Sequence, residues 1–150
     1  MDAYKTPASD LEEGQQRAIK PVKAIVYGLL ISIVLTSIAS MLEGIIFGIA
    51  LGVNLQDEAQ FTSVLANNLG FLLFDLIMTF ALLYYAGTRA RKYAPSKEVF
   101  YGVVLAVITF AIYLLIFVLS DSFSLYPLWY NLLSLIVVFT AILYGAKPKA

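Results

Sequence analysis

The sequence predicts an all-α fold, a polytopic membrane protein of four transmembrane helices with both its N-terminus and its C-terminus on the cytoplasmic side. Hydrophobic residues occupy 61% of the 150 positions and charged residues only 13%, far from the balance of a soluble domain. The apolar residues fall into four runs, each at least as long as the roughly 20 residues a helix needs to cross hydrocarbon. All ten lysines and arginines fall on one side of that arrangement, which orients it by the positive-inside rule.

Residues 1–23 form a polar tail with Pro7, Glu12, Glu13 and Gly14, and with Lys5, Arg17, Lys20 and Lys23 leading to the membrane. Such composition predicts a flexible or surface-lying segment. The first apolar run covers residues 24–53. The basic stretch before it and the small residues Ser37 and Ala39 imitate a cleavable export signal. A signal's apolar core is only about 7 to 15 residues long and this run continues to Val53, so an uncleaved span is expected. As one helix the run would measure about 45 Å against a hydrocarbon core of about 30 Å. It should therefore project beyond the membrane or bend near Gly44.

The next runs cover residues 61–87, 99–120 and 125–145, followed by a tail at 146–150, so that 24–145 reads as one transmembrane domain. The connections alternate in charge. The first holds Asp57 and Glu58 and no base, the second holds Arg89, Arg91, Lys92 and Lys97, the third surrounds Asp121, and the tail carries Lys147 and Lys149. Tyr27, Tyr84, Tyr85, Tyr101 and Tyr144 fall at the basic ends of the runs, and Tyr126, Trp129 and Tyr130 at the opposite end of the last. Both sets read as interfacial belts.

Within the first run, small residues recur at every fourth position: Gly28, Ser32, Thr36, Ser40, Gly44, Gly48 and Gly52. Small residues at that spacing let another helix backbone approach closely, which is how helices associate in lipid. A four-residue step overshoots one 3.6-residue turn, so the row should wind around the helix and meet successive partners. Its partner is either another span of this chain or a second polypeptide.

Two carboxylates lie within runs, and a charge in hydrocarbon is costly enough to mark a functional residue. Asp75 lies near the middle of the second run and Glu43 in the outer half of the first, with no lysine or arginine inside any run to pair with either. Asn67, Asn68, Tyr113, Asn131 and Ser134 fall at similar depth, and Asn68, Asp75 and Thr79 share one helix face. Together these residues are a candidate polar pocket.

The absence of cysteine and histidine removes disulfides, thiolate catalysis and the usual zinc and haem ligands. No Walker A loop, nucleophile elbow or second mid-membrane aspartate occurs either. The expectation is a non-enzymatic protein with no cofactor and no metal site. Zero formal net charge gives no sign of nucleic-acid binding. The expected partners are the lipid bilayer and either a second copy of the chain or another membrane subunit.

The opening stretch MDAYKTPASDL, through Tyr4, Pro7 and Leu11, resembles the start of many small, uncharacterised bacterial multi-pass inner-membrane proteins, which commonly begin Asn-Pro-Tyr-x-x-Pro. Here Asp2 and Ala3 replace the Asn-Pro pair. The resemblance implies a bacterial inner (cytoplasmic) membrane and no particular activity. Two functions stay open: an accessory, assembly or homo-oligomeric subunit acting through the small-residue row, or a small proton- or cation-coupled transporter using Asp75 and Glu43.

Overall fold

The computed structural model describes residues 20–94, 97–120 and 122–148. The tail motif around Tyr4 and Pro7, the charges Lys5, Glu12, Glu13, Arg17 and Lys149, and Asp121 lie outside the described residues. The long helices are α1 (Pro21–Ala50), α3 (Leu69–Tyr93), α4 (Glu98–Leu119) and α6 (Leu128–Ala146). Two short helices, α2 (Glu58–Ala66) and α5 (Ser122–Leu125), lie in the connections. The four long helices are long and apolar enough to cross a membrane, and the chain is a multi-pass membrane protein. Helix is what lipid demands, because each backbone N–H and C=O must find its partner within the span. Bulky apolar side chains such as Val22, Ile46, Ile77, Val118 and Leu132 point outward, as they should where the solvent is lipid.

The second apolar run is not one helix. Asn68 accepts a hydrogen bond from the Phe71 amide across 2.9 Å and starts α3 at Leu69, while Asn67 ends α2 and donates to the Ser63 carbonyl at 2.8 Å. A side chain that caps the backbone competes with helix continuation, so the asparagine pair breaks the run. Asp75 consequently sits in the second turn of α3, about 9 Å from the helix start, and not at mid-span as its position in the run suggested. Asp57 caps α2 by accepting from the Gln60 amide at 3.0 Å.

Of the two expectations for α1, projection or a bend near Gly44, the bend is not seen: the helix is regular through Gly44. Its irregularity is a π-helical stretch at Leu30–Leu35. The wider π turn takes more residues than the α turn, so a four-residue step falls short of a full turn there. That opposes the drift of the small-residue row and keeps Ser32 and Thr36 facing inward, where both are buried. Gly52 leaves the row: it takes φ +68°, and the amides of Gly52 and Val53 return to the carbonyls of Ile49 and Gly48 at 3.1 and 2.9 Å. This is a Schellman stop, for which glycine supplies the left-handed residue.

The most extensive packing joins α3 to α6. A Cβ added at Gly87 would overlap the Ile142 carbonyl oxygen, and one at Gly145 would overlap the Tyr84 carbonyl oxygen, so here backbone meets backbone. Around this seam Leu83, Ala86, Ala90, Leu105, Ala106, Val138, Ala141 and Ile142 form the main core. The basic ends of the helices gather together: the Lys20 amide donates to the Tyr93 carbonyl at 2.9 Å, Tyr27 stacks on Tyr93 at 5.2 Å, and Arg91 Nη1 donates to the Lys147 carbonyl at 2.5 Å. The opposite end holds Asp57 and Glu58 and a second cluster of Leu65, Phe71, Leu72, Leu76 and Tyr130.

Candidate functional site

Between α1, α3, α4 and α6, on the side of the core away from the basic end, lies a cavity of about 410 Å³. That is within the roughly 300–1,000 Å³ of small-molecule sites. Asp75, only 7% exposed, reaches it from α3. Its Oδ1 accepts from Ser40 Oγ of α1 at 3.0 Å and its Oδ2 from the Tyr130 hydroxyl of α6 at 2.5 Å. Three helices therefore converge on one carboxyl group. Each carboxyl oxygen thus accepts one hydroxyl donor, which leaves a further lone pair on each for another partner.

Thr79, one helical turn from Asp75, also lines the cavity, as do Ser134, Tyr113, Thr36 and Tyr126. The Thr36 hydroxyl donates back to the Ser32 carbonyl at 3.0 Å, and Tyr113 Oη donates to that same carbonyl at 3.0 Å. The π stretch of α1 is thereby tied to α4. Ser134 Oγ donates to the Tyr130 carbonyl at 2.8 Å. Tyr126 lies just before α6 and lines the cavity.

Of the residues expected to form a polar pocket, Asp75, Thr79, Tyr113 and Ser134 meet at this cavity. Glu43 is 6% exposed and lies within electrostatic range of Asp75, but it is not part of the cavity lining. Its Oε2 is buried without a hydrogen-bond partner among the described residues. The asparagines lie apart from the cavity lining: Asn67 and Asn68 end and begin helices, and Asn131 is buried with Nδ2 donating to the Tyr126 carbonyl at 3.1 Å.

The small-residue row is turned into the chain. A Cβ at Gly28 would overlap Leu105 of α4, and the Ser32 hydroxyl lies 3.2 Å from that of Thr109. Farther along, Ser40 bonds Asp75, Gly44 lies against Phe61 and Leu65, and Gly48 lies against Phe61 and Leu55. The row thus serves α4 near the basic end, and α2 and α3 beyond it.

Two contributors were not evident in the sequence. Tyr130, read as an interfacial belt residue, is buried and bonds Asp75, while its neighbour Trp129 is 42% exposed. The Gly87–Gly145 seam was also missed, although Ala141 and Gly145 stand four apart and Ala86, Ala90 and Ala94 do likewise. Such small-xxx-small spacing was the available signal. Comparison with known protein families, curated proteins and solved structures gives no match.

Proposed function

We propose that this chain is an integral protein of a bacterial cytoplasmic membrane, with both ends in the cytoplasm, that binds a proton or cation at Asp75 and carries it as part of a small coupled transporter. The observation that carries the reading is the setting of Asp75: a carboxyl group in the wall of a cavity between spans, held by hydroxyls from two other helices. Among the described residues no lysine or arginine lines that cavity, and Glu43 adds a second acid nearby. Such a site gains by holding a positive charge, because an uncompensated carboxylate in hydrocarbon is expensive.

The accessory or homo-oligomeric role rested on a row of small residues free to meet another polypeptide. That row is used inside the chain, which favours the transporter reading. The role proposed is binding and translocation rather than catalysis.

The test is infrared difference spectroscopy of the carboxyl region in lipid nanodiscs as pH is stepped from acid to alkaline, paired with proton flux in proteoliposomes. The expected result is a titrating carboxyl band that disappears in Asp75→Asn together with the flux. A carboxyl region insensitive to pH and to that substitution, with flux unchanged, would overturn the reading.

A further inference from the structure

The cavity wall is incomplete on one side. Near the basic end α1 and α4 are joined by Gly28 against Leu105, by Ser32 with Thr109, and finally by Tyr113 bonding the Ser32 carbonyl. Beyond Tyr113 the stretch of α1 after Leu35 has no substantial packing against α4. Ser37 and Met41 of α1 and Ile116 and Phe117 of α4 line the cavity from the two edges of this gap. Met41 is 66% exposed and Ile116 45% exposed, so the same side chains face both the cavity and the outside. Because α1 and α4 both have the length and apolarity of membrane spans, the gap opens sideways into hydrocarbon.

A proton needs no such opening, and a hydrated inorganic ion would be excluded by its apolar edges. A molecule already dissolved in the bilayer could use it. Inside, the cavity combines Asp75 with the rings of Phe61, Phe71, Tyr113, Phe117 and Tyr126. Aromatic faces attract cations, and an acid with no basic residue among the described lining repels phosphate or sulfate.

We infer that the ligand is a lipophilic organic cation, an amine or quaternary ammonium group on an apolar body, which reaches Asp75 sideways from the bilayer through the gap between α1 and α4. This rests on the reading of Asp75 as a ligand-binding acid and names its substrate class. The apolar body lies against Phe117 and Met41 while the cationic head faces Asp75 and the surrounding rings.

The test uses radiolabelled tetraphenylphosphonium and the full chain in phosphatidylcholine nanodiscs, with binding to empty discs subtracted. Saturable binding is expected, displaced by dodecyltrimethylammonium but not by dodecyl sulfate or tetramethylammonium. Asp75→Asn should weaken it by about tenfold or more. Met41→Trp, which fills the gap from an exposed position, should weaken it too while leaving the pH-dependent carboxyl band of Asp75 in place. That second variant keeps the test valid if Asp75→Asn folds poorly. No saturable binding, or binding indifferent to Met41→Trp, overturns the lateral lipophilic-cation inference. If the carboxyl band still titrates in that case, the role of Asp75 as a proton or cation site stands; if the band is absent, both readings fall.

Discussion

Tyr130 Oη donates to Asp75 Oδ2 across 2.5 Å, at the short end of the about 2.5–2.7 Å range of hydroxyl bonds to carboxylates. The contact joins α6 to α3 one layer beyond the main core. Tyr130→Phe keeps the ring and its packing beside Phe71 and Leu76 but removes the donor. It should destabilise the folded protein by about 1–3 kcal/mol, the cost of leaving a buried acceptor short of a partner. Thermal unfolding in detergent of the wild type, Tyr130→Phe, Asp75→Asn and the double variant gives the coupling, which should reach about 1 kcal/mol or more for groups in contact. Strict additivity would mean that the bond contributes nothing.

The α3–α6 seam predicts a graded response to added methyl groups. At Gly87 and Gly145 the new Cβ would strike backbone carbonyls of the other helix, which cannot move aside without separating the helices. At Gly44 the nearest atom stands 3.5 Å away, on Phe61, so an alanine fits. Gly87→Ala and Gly145→Ala should each cost about 1–3 kcal/mol or more, as overpacking does, whereas Gly44→Ala should be near neutral. Folded yield after extraction and the unfolding midpoint in the same detergent decide the order.

Asn68→Ala should cost about 0.5–2 kcal/mol through loss of the cap on α3, and Asn68→Asp should restore most of it. Hydrogen exchange should rise at Phe71, whose amide Asn68 holds. The exposed neighbour Asn67, which bonds only backwards into α2, should tolerate alanine without a comparable loss. Equal effects at both positions would remove the cap as the reason that the second apolar run breaks.

Apolar run length made the four spans legible in the sequence, because lipid leaves a long apolar segment few alternatives to helix. Local polar chemistry and three-dimensional facing were harder to read. Asn68 lies inside an apolar stretch, and its capping role shows only when the side chain is seen bonding Phe71, although an asparagine at a helix start is a known cue. Asp75 was identifiable by its cost in hydrocarbon, but its partners Ser40 and Tyr130 lie 35 and 55 positions away, and no local pattern pairs them. Tyr130 stands beside Trp129 in an apparent belt, yet successive residues on a helix point about 100° apart, so one faces lipid and the other the interior. The π stretch of α1 had no compositional signal at all.

The topology prediction follows from where the cations gather. Lys20 lies against the end of α3, and Arg91 bonds the last turn of α6, so the described lysines and arginines share one end of the bundle while Asp57 and Glu58 occupy the other. Cytoplasmic loops retain lysine and arginine, and acids contribute little to orientation, so the basic end should face the cytoplasm and the end nearer Asp75 the outside. The chain has no cysteine, which makes single-cysteine labelling direct. Gln56→Cys, in the exposed connection before α2, should react with a membrane-impermeant maleimide on intact cells. Lys97→Cys and Pro148→Cys, both exposed at the basic end, should react only after lysis. The reverse pattern would invert the bundle and move Asp75 to the cytoplasmic leaflet, and labelling of all three in intact cells would rule out a closed four-span arrangement.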